Sequence, residues 1–186
     1  CVIWRFRARH EVFLGTCFHF SKPDRNELGL ILLAAVGCFF AFPNPIAPFP
    51  PLVLPTPAAI SLLALRASSS RRALWLSFFC CFLGASASLY WLAIPMQVFA
   101  AVPLVLAAGF VMLLGLLFGM HGFLFALLAR LFTRGLPFWP GLLALAVRWG
   151  MLEHLRGFIL TGFPWLSLSS AFAGWPLLAQ GASLFG

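Results

Sequence analysis

Carboxylates are scarce in this chain: Glu11, Asp24, Glu27 and Glu153 are the four acids in 186 residues, and Lys22 is the one lysine. Charged residues make up 9% of the total, too few to clothe a water-soluble body of this length. Twelve Lys and Arg still bring the net charge to +8. They fall in short clusters between apolar runs, not in one patch, which argues against a nucleic-acid surface and fits loops facing anionic headgroups. The five cysteines, Cys1, Cys17, Cys38, Cys80 and Cys81, show neither a CxxC pair nor metal-ligand spacing, so neither a metal nor a cofactor is expected. They read as small hydrophobes. The two halves of the chain lack self-similarity, which weighs against a transporter built on inverted repeats around Arg148 and His121. His121 reads as a packed helix residue.

What the chain has is apolar length. Hydrophobic residues reach 62%, the composition of a polytopic membrane protein. We expect an all-α transmembrane helical bundle of about five complete spans plus a truncated sixth, over roughly 28–42, 52–65, 73–94, 103–132, 139–160 and 176–186. Residues 1–27 form a basic tail. A basic stretch followed by an apolar run also fits a signal peptide, but the residues after Cys38 stay apolar and further spans follow, so an uncleaved first helix is simpler. The connector "PNPIAPFPP" (43–51) cannot continue a helix, and Pro55 and Pro57 predict an irregular start to the second. Pro103 marks the start of the fourth, and Pro140 sits in a tolerated first turn of the fifth. Gly84 with Ser88, and Gly115 with Gly119, give small-residue faces for close helix approach. The chain opens on Cys and ends inside an apolar run, so it is expected to be a fragment.

Basic residues alternate along the chain: five Lys or Arg in the tail, none in the Pro-rich connector, three in "RASSSRR", none in "PMQ" and two in "ARLFTRG". The positive-inside rule then puts the N-terminus in the cytoplasm and residues 161–175 on the opposite, outer side.

That loop opens within "EHLRGFILTGFPWL" (153–166), which holds the one acid beyond residue 27. Glu153 lies three residues before Arg156, within reach on one helix face, and an unpaired charge in lipid is costly, so pairing is expected. Phe163, Pro164 and Trp165 then make a rigid aromatic bend after Gly162, at the depth where headgroups meet water.

The ordered string formed by Glu153, Arg156, Gly157, Thr161, Gly162, Phe163, Pro164 and Trp165, followed by Gln180 and Gly186, resembles the signature stretch of bacterial apolipoprotein N-acyltransferases. "SLYWLAIPM", with Tyr90 and Trp91, resembles the aromatic end of that family's third span. His154, Arg148 and Tyr90 depart from the usual pattern. The resemblance implies an inner-membrane enzyme with eight spans and a nitrilase-like domain on the outer face. There a cysteine thiolate takes an acyl chain from phospholipid, with a glutamate as base and a lysine stabilising the oxyanion. The acyl group then passes to the diacylglyceryl cysteine of an apolipoprotein.

No such Glu, Lys and Cys set can meet on the outer face here, because Lys22 and the cysteines lie in the tail or in spans. No catalytic residue is therefore expected in this chain, which alone should be inactive, its partners being phospholipid, diacylated apolipoprotein and its own missing nitrilase-like domain. The resemblance implies a lipid-facing site built from Glu153, Arg156, Thr161, Gly162, Phe163, Pro164, Trp165 and Trp91, with Arg156 near a phosphate and Glu153 holding it. The alternatives are a non-enzymatic membrane anchor, degenerate or fused to a lipid-linked sugar enzyme, or a transporter subunit.

Overall fold

A computed structural model of the chain describes residues 23–133, 135–158, 165–175 and 180, and every regular element among them is helical. Helix α1 spans Arg25–Ala41. Its start is a capping box: the Asp24 carboxylate accepts from the Glu27 backbone N–H at 2.7 Å while Glu27 Oε2 accepts from Asp24 N–H at 3.0 Å. The helix stops where Phe42, ahead of Pro43, turns extended. The proline-rich connector folds back on α1 through the Phe49 N–H to Phe40 carbonyl bond (2.7 Å), then passes through a 3-10 turn, Pro50–Val53, into α2, Pro55–Arg66. This is the irregular start expected from its prolines.

Helix α3, Ser70–Ser88, is capped by the Ser69 hydroxyl. It does not run on through residue 94 as the sequence suggests. Pro95 has no N–H for the carbonyl four residues earlier, so the chain breaks at a 3-10 turn, Tyr90–Leu92, and resumes as α4, Ala93–Ala100, bent by 46°. Helix α5, Leu104–Phe132, begins straight after Pro103 as expected, and α6 covers Phe138–Arg156. One short helix, α7, Leu168–Ala171, follows in the segment 165–175.

Among the described residues, α5 alone is long and apolar enough to cross a membrane, and the bent pair α3 with α4 passes as a second candidate only when taken together. Among the described residues, length and composition thus support one span or two, fewer than the five expected. Helices α1 and α2, at 17 and 12 residues, are short, and α6 carries Arg148, Glu153 and Arg156 within its 19 residues.

The tightest packing joins α3 to α5. A Cβ at Gly122 would lie 2.4 Å from the Ser77 carbonyl oxygen, so α5 meets the α3 backbone where only hydrogen fits. Gly84 lets α1 approach less closely, since a Cβ there would stand 3.3 Å from that of Cys38. Buried Ala34, Ile60, Leu63, Leu76, Cys80 and Phe125 fill the space between α1, α2, α3 and α5.

Polar ties gather at one end of the bundle. Arg72 at the start of α3 forms an ion pair with Glu27 at the start of α1, and its Nε donates to Glu27 Oε1 at 2.8 Å. Buried Arg130 donates from Nη1 to the Ala64 and Ala67 carbonyls (2.9 and 3.1 Å) and from Nε to Ser70 Oγ (3.2 Å), joining the end of α2 to the start of α3. Arg148 reaches back to cap α5, donating to Thr133 Oγ1 at 2.8 Å and the Phe132 carbonyl at 3.3 Å.

Candidate functional site

The opposite end of α3 opens into an aromatic cleft. At nineteen residues, α3 is ~28 Å long, close to the depth of a bilayer's hydrocarbon core, so the two ends of the bundle are a membrane's thickness apart. The break at Leu89 leaves the rings of Tyr90 and Trp91 half-exposed, and Trp165 lies across from Trp91. The Trp91 and Trp165 rings stack at 5.5 Å between centroids, 27° from parallel. With Phe42, Asn44, Ser88, Leu89, Leu166 and Ser170 they line a cavity of about 650 Å³. That volume is within the ~300 to 1,000 Å³ of ordinary ligand pockets.

The cleft's polar groups are largely bonded to backbone. Asn44 Nδ2 donates to the Phe42 carbonyl at 3.0 Å and its Oδ1 accepts from Ile46 and Ala47 N–H, both at 2.9 Å. Ser88 Oγ donates to the Gly84 carbonyl at 2.8 Å, and Ser170 Oγ to the Ser167 carbonyl at 2.8 Å. The walls therefore present mainly carbon and aromatic faces. Such a cleft suits an apolar, flexible ligand better than a polar one.

Glu153 and Arg156 do not pair as the sequence suggests. Glu153 Oε1 accepts from Trp149 Nε1 and from the Leu168 backbone N–H, each at 3.0 Å. Arg156, the last residue of α6, turns into the bundle and lays its guanidinium over the Phe118 ring, 4.4 Å from the centroid. The reason is competition: the acid is already held by an indole one turn back and by an amide of the next segment. Among the described residues, Arg156 Nε and Nη2 and His121 Nε2 are buried without hydrogen-bond partners. Arg156 and His121 line a second, small cavity of about 40 Å³, and Phe42 and Leu166 line both this cavity and the cleft. His121 packs edge-on against Trp149 at 4.9 Å, the packed role expected of it.

Of the residues expected at the site, Trp91 and Trp165 meet, Glu153 reaches the same segment through Leu168, and Arg156 faces inward. Thr161, Gly162, Phe163 and Pro164 lie outside the described residues, as do most of 176–186. Sequence reasoning missed Phe42, Asn44, Leu166 and Ser170, which carry no local signal. It also missed Trp149, which had one: it precedes Glu153 by four, the spacing of neighbours on one helix face. Among the described residues no three His, Cys, Asp or Glu side chains gather as a metal site. Leu166 has φ +56°, a left-handed conformation that costs a branched residue ~1 to 2 kcal/mol. It packs against two buried clusters, one that includes Leu89, Leu92 and Val111 and one that includes Phe42 and Val53.

Fold and cleft together define an all-helical, strongly apolar bundle with an aromatic-lined opening at one end. The profile described as the apolipoprotein N-acyltransferase N-terminal domain matches residues 34–186, and the chain belongs to this family. It is 32% identical to an apolipoprotein N-acyltransferase of Haemophilus ducreyi over 155 residues, 83% of this chain and 28% of that protein. With that of Shewanella oneidensis it shares 34% identity over 115 residues, 60% of this chain and 21% of the relative. A stretch of 46 residues is 46% identical to the Sinorhizobium medicae enzyme. The chain thus spans less than a third of the length of these relatives.

Proposed function

We propose that this chain is the membrane-embedded part of an apolipoprotein N-acyltransferase of the bacterial inner membrane, and that its aromatic cleft receives an acyl chain of the phospholipid donor. The observation that carries the reading is the stacked Trp91–Trp165 pair walling an apolar cavity of about 650 Å³ at the end of the bundle remote from its arginine cluster. By the positive-inside rule that end faces the periplasm, where the diacylated apolipoprotein is presented. Exposed Leu104, Val105, Leu106, Val98 and Phe99 suit contact with lipid.

The bundle's part in the reaction is binding and orientation. A cleft that holds the acyl chain against two indoles fixes the donor ester near the water boundary, which converts acyl transfer into a reaction of prepositioned groups. The thioester chemistry belongs to a nitrilase-like domain that these 186 residues do not contain. The chain by itself is expected to acylate nothing.

The test uses a phospholipid donor and a diacylated lipopeptide acceptor. The complete gene product should form N-acylated peptide, and Trp165→Ala in it should raise KM for the donor about tenfold, the loss of one aromatic wall. The 186-residue chain should give no product above an empty-vector control. Unchanged kinetics in a normally folded Trp165→Ala protein would remove the cleft from the reaction.

A further inference from the structure

The cleft needs its wall held in place, and one backbone amide does this. Trp165 and Leu166 sit on a turn that leads into α7, and Leu166 is held in a left-handed conformation which the chain would leave if released. Two residues on, the Leu168 N–H donates to Glu153 Oε1 at 3.0 Å. The same oxygen accepts from Trp149 Nε1 at 3.0 Å, and the Trp149 ring is wedged between His121 (4.9 Å) and Phe125 (5.1 Å) of α5. A rigid ring on the bundle core thus orients the carboxylate, and the carboxylate fixes the strand of chain that carries Trp165 and Ser170 into the cleft.

We infer that Glu153 is a positioning residue for lipid binding, acting through the Leu168 amide and not as a partner of Arg156. The inference rests on the reading of the cleft as the donor site. A carboxylate that bonds one indole and one backbone amide fixes direction as well as distance, whereas a charge-pairing role needs no such geometry.

Leu168 offers a clean test, because it is the first residue of α7 and follows Ser167 in extended conformation (φ −73°, ψ 153°). Both features suit a proline at 168, which deletes the N–H and leaves the turn intact. Leu168→Ala removes the same side chain and keeps the amide. In the complete gene product, Leu168→Pro should raise KM for the phospholipid about tenfold over Leu168→Ala with kcat held within about twofold, the loss of one hydrogen bond to a charged acceptor. Glu153→Ala should match Leu168→Pro, the double variant should be no worse than either alone, and Glu153→Gln, whose amide oxygen still accepts, should stay near wild type.

Hydrogen exchange of residues 165–171 in lipid nanodiscs reads the anchor without activity. Exchange should quicken in Glu153→Ala and not in Glu153→Gln. Equal KM and exchange in Leu168→Pro and Leu168→Ala would overturn the inference, and so would Glu153→Gln as impaired as Glu153→Ala, which would return Glu153 to balancing the Arg156 charge. Absence of acyl transfer by the wild-type gene product would instead sink the functional reading, leaving the anchor to be judged by exchange alone. Should Glu153→Ala fail to fold, the Pro and Ala pair at 168 still decides.

Discussion

Gly122 and Gly109 lie on the same helix, yet their surroundings are opposite. A methyl group at Gly122 would press on the Ser77 carbonyl at 2.4 Å and Cys81 Sγ at 2.6 Å, whereas one at Gly109 would meet nothing within 4 Å. Backbone cannot swing aside as a side chain can, so Gly122→Ala should destabilise by about 1 to 3 kcal/mol through overpacking. Gly109→Ala should stabilise by up to about 1 kcal/mol through helix propensity. Melting curves of the two variants in one detergent would check the contrast, and equal shifts would contradict the close α3–α5 approach. Both glycines look alike in the sequence. What separates them is the partner helix, which local composition does not name.

At the scale of elements, Arg130 holds three helix ends together. Its Nη1 satisfies the Ala64 and Ala67 carbonyls at the end of α2, groups that a helix terminus leaves without intrahelical partners, and its Nε reaches Ser70 on α3. Arg130→Met keeps the apolar stem and strips the bonds, so buried carbonyls are left unsatisfied at about 1 to 3 kcal/mol in all. The expected outcome is a lower Tm together with faster hydrogen exchange in 64–72. Arg130→Lys should recover only part of the loss, since an ammonium lacks the guanidinium's fixed fork. The sequence counts Arg130 in the basic cluster "ARLFTRG", and the structure places it in the last turn of α5. Its burial was not legible, because it depends on α2 ending where α5 does. The third-span break was partly legible: Pro95 was in view, but whether a proline kinks a helix or ends it depends on what packs around it.

For the molecule as a whole, the Glu27–Arg72 pair closes the end remote from the cleft and gives a pH dependence with a definite sign. The hydrogen bond from Arg72 holds the Glu27 carboxyl below its ordinary value of 4.5, against the opposing pull of burial, and the Asp24 amide and the Arg72 charge add to the lowering. A carboxylate with a lower pKa folded than unfolded contributes its full stability above the unfolded value and loses it as pH falls through the folded one. The Tm should therefore hold steady near neutrality and decline below about pH 4.5. Glu27→Gln should start lower and show a shallower decline. A Tm profile from pH 7 to 3 checks this, and an identical acid slope in Glu27→Gln would place the loss elsewhere. The pair is half-buried, its side chains 16% and 13% exposed, so high ionic strength should narrow the difference only in part.

Composition and spacing by themselves determined that the chain is a greasy helical bundle, that prolines interrupt its helices, and which family string it carries. Those properties follow from local chemistry: the scarcity of charge, the prolines, and an ordered run of residues that composition does not produce. Only the tertiary structure decided which side chains meet. Trp91 and Trp165 lie far apart in the chain and stack because the break after α3 and the turn before α7 converge. Glu153, three residues from Arg156, turns to Trp149 and the Leu168 amide instead, because a hydrogen-bonding partner is chosen by three-dimensional proximity and competing donors, which helical spacing alone does not rank.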